Sequence, residues 1–142
     1  MWIAFFMDQY VRTSRYFNGL SAIFAFLLWG GWAYHINSQT STQSGIVAGL
    51  TQGTSSFLIT LFMVHAVTLL FHRFHHPFRK VLLPAVIVVC STSLFLYTVH
   101  LVMGTPRILA TILPAITVAF SFCLFTSFKL LRIHQQRSSQ YE

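Results

Sequence analysis

Acidic residues are almost missing from this chain of 142 residues: Asp8 and Glu142 are the only two. No carboxylate lies between them, which disfavours carboxylate-driven proton coupling and Asp/Glu metal chemistry. Charge of either sign is scarce, at 8% of residues against about 25% in an ordinary soluble domain. A water-soluble globule is therefore close to excluded. Cysteine is limited to Cys90 and Cys123, with no C-x-x-C spacing, and both read as small buried hydrophobes rather than a disulfide or redox pair. G-x-S-x-G, H-E-x-x-H and phosphate-cradling glycine loops are all absent. No enzyme class has positive support, no cofactor is expected, and no internal repeat is visible.

What the chain does have is apolar surface, with 55% hydrophobic and 16% aromatic residues. Nine Lys and Arg give a net charge of +7, but they sit in short clusters between apolar runs. A nucleic-acid binder would need them gathered on one exposed patch or stripe, so no nucleic-acid partner is expected. A spanning helix requires about 20 mostly apolar residues, and residues 16–72 contain no charged side chain. That stretch is too long for one span and is broken by the polar run 37–44. It divides into a first span at 17–36 and a second at 45–71. Two further spans follow at 81–103 and 108–128, separated by Gly104-Thr105-Pro106-Arg107. Gly104 suits the left-handed residue that ends a helix. Thr105 is placed to cap the next helix, with Pro106 at its first position. The fold class expected is an all-α, four-transmembrane-helix bundle.

Orientation follows from the basic residues of short loops. The segment 1–16 holds Arg12 and Arg15, the loop 37–44 none, the His-rich loop 72–80 three, the turn 104–107 only Arg107, and the tail 129–142 three. The count places both termini in the cytoplasm, with Arg107 the exception. Ahead of the first span, Ile3, Phe6, Met7 and Tyr10 share one helical face and Asp8, Arg12 and Arg15 another. This predicts an amphipathic interfacial helix on the cytoplasmic leaflet. Trp29, Trp32 and Tyr34 form an aromatic belt at the outer end of the first span. The outer loop carries no glycosylation sequon, since Asn37-Ser38-Gln39 fails at its third position. A compact, multi-pass protein of a bacterial inner membrane fits these features.

The most regular pattern is Gly45-x-x-x-Gly49-x-x-x-Gly53, continued by Ser56 and Thr60 on about the same face of the second span. Small residues at this spacing let another backbone approach closely, in lipid the main drive for helix association. The stripe serves either packing within the bundle or the seam of a homo-oligomer or larger complex. Gln52, beside it, needs an interhelical partner or a ligand. Near the outer end, Arg107 opposes the dipole of the fourth helix, whose free N–H groups can hold an anion. Thr105 belongs to this turn, and His100, His35 and Gln52 are candidates to reach it. Together they suggest a site for an anionic headgroup, although Arg107 can also simply snorkel to lipid phosphates. His35 with His100 allows a bis-His haem geometrically. His72, His75 and His76 lack a carboxylate or thiolate to complete a metal site, and a basic loop facing anionic lipid explains them. Pro114 frees the carbonyl of Ala110, with Thr111 and Thr117 nearby to satisfy backbone groups. Pro84 reads as a first-turn proline.

The expected function is non-enzymatic: helix association as a homo-oligomer or accessory subunit. The alternatives are binding or flipping of an anionic lipid or lipid-linked phosphate at the outer leaflet, and a haem redox subunit. Membrane lipids and other membrane-protein chains are the partners implied.

Overall fold

The computed structural model describes the backbone of residues 2–138 and the side chains of residues 16–136. Four helices follow one another: α1 (Trp2–Ser38), α2 (Thr42–Arg73), α3 (Pro77–Val102) and α4 (Ile108–Ser138). Each is long and apolar enough to cross a membrane, over Tyr16–Ser38, Thr42–Arg73, Pro77–Val102 and Ile108–Gln136. The amphipathic pattern around Asp8 and Arg12 falls on side chains outside the described residues.

The connections are shorter than the polar and basic runs suggested. The polar run 37–44 mostly joins helices, because Ser41 caps α2 by accepting from the Ser44 N–H at 3.0 Å. The His-rich loop contracts to residues 74–76, so His72 and Arg73 end α2 while Arg79 and Lys80 begin α3. Pro77 stands at the start of α3, where the missing N–H costs nothing. Pro84 is consequently a residue inside α3 and buried, not a first-turn proline. Gly104 does take the left-handed conformation, with φ +66°. It turns the chain between α3 and α4.

Helices α1 and α2 form an antiparallel hairpin of unusually close approach. A Cβ placed on Gly49 would meet the Gly30 carbonyl at 3.0 Å, and one on Gly30 would meet the Gly49 carbonyl at 3.0 Å. A Cβ on Gly53 would meet the Phe26 ring and carbonyl at 3.1 Å, and one on Gly45 the Ser38 Cβ at 2.8 Å. The glycine stripe of α2 thus packs inside the chain against α1, and Gly30 supplies the facing gap. Farther along, Asn18 donates to the Leu61 carbonyl at 3.3 Å. The hairpin is held along most of its length.

Helix α2 also packs on α3 and α4, whereas α1 touches α4 lightly and, among the described residues, does not touch α3. The core lies among Met63, Val67, Ala85, Val88, Val89 and Cys123. Cys123 is buried there as expected, but Cys90 is exposed on the outer face of α3, because the helix turns that position away from its neighbours. One buried polar atom among the described residues has no hydrogen-bond partner, Ser127 Oγ on α4.

The glycine contacts yield a graded prediction. Gly49→Leu and Gly53→Leu force backbones apart and lower unfolding free energy in detergent by about 1–3 kcal/mol. Gly31→Ala, at a position with nothing within 4 Å of an added Cβ, leaves stability unchanged or raises it by up to about 1 kcal/mol. Equal losses from all three variants would contradict the close approach.

Candidate functional site

In hydrocarbon every polar group must find its partner inside the protein, so buried polar side chains locate the points where the fold is fastened. Most lie at the end of the bundle that carries residues 39–41 and 103–107. Gln52, His100, Asn37 and Thr111 are fully buried there, and Thr105 and Ser56 nearly so.

Two groups of bonds share this end. In the first, the His100 ring spans two elements: Nδ1 lies 2.7 Å from Thr105 Oγ1 and Nε2 lies 2.7 Å from Gln52 Oε1. Gln52 Nε2 donates in turn to Ser56 Oγ at 3.3 Å. Since the Gln52 oxygen can only accept, His100 donates from Nε2 and accepts the Thr105 hydroxyl proton at Nδ1. The chain of bonds runs one way from the α3–α4 turn down to Ser56 and ties α3 to α2. Both His100 nitrogens are engaged in these bonds. His35 is exposed and stays outside the group; its carbonyl accepts from Ser38 Oγ at 3.2 Å.

The second group joins α1 to α4 and centres on Asn37. Its Nδ2 donates to the Ala33 carbonyl at 2.9 Å and to Thr111 Oγ1 at 2.8 Å. Its Oδ1 accepts the Arg107 backbone N–H at 3.1 Å. The start of α4 is therefore capped by a side chain from α1. Thr105, expected to cap α4, is occupied by His100 instead, and Pro106 lies in the turn before the helix. The Arg107 guanidinium is exposed and donates to Gln39 Oε1 at 2.9 Å. Arg107 itself precedes α4 and sits above the junction of α1 and α4.

The carbonyl freed by Pro114 is answered in the same place. Trp32 Nε1 donates to the Ala110 carbonyl at 3.0 Å, so a residue expected only in an aromatic belt completes the backbone of a neighbouring helix. Thr111 and Thr117 donate to Arg107 and Leu113 carbonyls instead. Asn37 and Trp32 were the functional residues hidden in the sequence. The one available signal was Pro114, which announces an orphan carbonyl without saying who meets it.

Below Trp32 the two helices part. A cavity of about 280 Å³ opens between them, within the membrane-spanning region. Its rim is formed by Phe17, Phe24 and Leu28 of α1 and Val118 and Phe122 of α4, all exposed. Deeper in are Ala25, Ser56, Thr60, Thr92, Leu96 and Ala115. Because α1 is clamped to α2 and does not reach α3, the space between them is filled by no side chain. Ser56 and Thr60, grouped with the glycine stripe by spacing, line this cavity rather than the close seam. Ala115 and Ala119 of α4 line it too, while Cys123, one turn farther along the helix, turns to the core.

No protein-family model, curated protein or solved structure matches the chain. What the site can do must therefore follow from its own chemistry. Among the described residues no group of three or more His, Cys, Asp or Glu is placed to hold a metal ion.

Both sets of ties can be probed by substitution. Trp32→Phe strands the Ala110 carbonyl and lowers stability by about 0.5–1.5 kcal/mol. In a Pro114→Ala background the backbone N–H regained at that position donates to the same carbonyl, and most of the cost disappears. An unchanged cost in that background would remove the link. His100→Leu leaves Gln52 Oε1 and the Thr105 hydroxyl without their partner and costs about 1–2 kcal/mol, part of which Gln52→Leu restores in the double variant, as read by denaturation in mixed micelles.

Proposed function

We propose that this is a non-enzymatic lipid-binding membrane protein, which takes an anionic lipid along the seam between α1 and α4. The observation that carries the reading is the cavity beneath Trp32, bordered by exposed apolar side chains of both helices. In a bilayer the medium facing such an opening is hydrocarbon, and an acyl or prenyl chain fills it at no cost in dehydration. Unfilled, its walls would lose dispersion contacts.

Arg107 supports an anionic headgroup. It sits at the top of the same seam, exposed, with its backbone fixed by Asn37 and its guanidinium steadied by Gln39. From Arg107 to Val118 on the cavity rim is about 16 Å along α4 at 1.5 Å per residue, within the span of one lipid chain. A phosphate at Arg107 and a tail in the cavity are thus compatible. The distribution of basic residues supports an outer-leaflet position for this end. A role through association alone has less support, because the glycine stripe that motivates it already packs against α1.

Native mass spectrometry from mild detergent tests the reading. The wild-type chain should retain an anionic lipid; Arg107→Ala should reduce that adduct about fivefold, and Ala119→Phe, which fills the cavity, should abolish it without lowering the melting temperature. Retention that ignores both changes would sink the proposal. Lipid-free oligomers would favour association instead.

A further inference from the structure

We infer that the opposite, basic end of the bundle holds a second site, for the phosphate of an anionic phospholipid in the leaflet facing that end. It is independent of the α1–α4 cavity. Arg73 ends α2, Arg79 and Lys80 lie in the first turns of α3, and Lys129 and Arg132 lie on α4. No carboxylate stands among the described side chains, since Asp8 and Glu142 fall outside them.

The fold fixes the cluster. Lys80 Nζ lies 5.2 Å above the Phe71 ring of α2 and 3.4 Å from His134 Nε2 of α4, so one α3 cation is held between two other helices. It is half-buried, while Arg73 at the end of α2 and Arg79 on α3 are exposed. The first turn of α3 contains no acidic residue, and His76 caps it without a side-chain hydrogen bond. Arg79 and Lys80 therefore stand against the positive end of the helix dipole, an arrangement that a bound anion reverses. The apolar spans of α2 and α3 end and begin at Arg73 and Pro77. The cations consequently stand at the depth where headgroups lie, and the phosphates at that depth belong to lipid.

The test uses the full chain in nanodiscs of phosphatidylcholine containing a minority of phosphatidylglycerol. Lipids retained on release are counted by native mass spectrometry. The wild-type chain should hold phosphatidylglycerol above its bulk share. Arg79→Gln/Lys80→Gln should lower that enrichment by about fivefold per charge removed, and Arg79→Lys should preserve it. Arg107→Gln should remove a separate part of the enrichment, additive with the Arg79→Gln/Lys80→Gln loss, so the two sites can fail separately. Should the double variant not fold, Arg73→Gln and Arg79→Gln, both at exposed positions, should each give the single-charge loss. Undiminished enrichment in those variants overturns the inference. So does full displacement of phosphatidylglycerol by inorganic phosphate, which would mark a soluble-anion site.

Discussion

Asn37 fastens together two helices that otherwise separate. Its amide donates to Ala33 and Thr111 and accepts from the Arg107 N–H, so one side chain ends α1, starts α4 and joins them. An unsatisfied amide in a nonpolar interior costs more than a single hydrogen bond returns, which makes this arrangement close to obligatory once Asn37 is buried. The Trp32 bond to Ala110 acts beside it and turns the Pro114 defect into a second tie. Both ties lie at one end. The helices are thus held at their tops and free to diverge below.

Close approach of α1 and α2 explains where the divergence leads. Glycine against glycine brings those backbones together, and Asn18 extends the contact toward the basic end. A helix bound this tightly to one neighbour cannot also lean on α3. The cavity is the geometric remainder, bounded by α1, α2 and α4 with Thr92 and Leu96 of α3 at its back. Its position in the apolar span and its exposed rim are the features on which the lipid-binding proposal rests. The chain of bonds from Thr105 through His100 and Gln52 to Ser56 stiffens the wall opposite.

Polar residues of the spans divide by role only once partners are known. Gln52 needs an interhelical bond by its chemistry alone, and His100 supplies it. Thr105 has the sequence position of an α4 cap but meets His100, because the left-handed Gly104 folds the turn back over α3. His35 is a candidate beside them by sequence, yet α1 turns it outward. Asn37 looks like loop because polar residues surround it in sequence. Hydropathy averages over neighbours and cannot distinguish an amide facing water from one facing Thr111.

Sequence by itself determined the number of spans, the breaks between them, the left-handed Gly104 and the scarcity of acids against nine basic residues. Each of these is a local sum or a local steric rule: apolar length against bilayer thickness, or a backbone angle that favours glycine. Only the tertiary structure decided that the glycine stripe closes on Gly30, that Asn37 caps α4, and that a cavity opens beneath Trp32. Those outcomes depend on which faces meet across separations of up to 78 residues, and in a chain with almost no charge, packing and pairing make that choice in three dimensions.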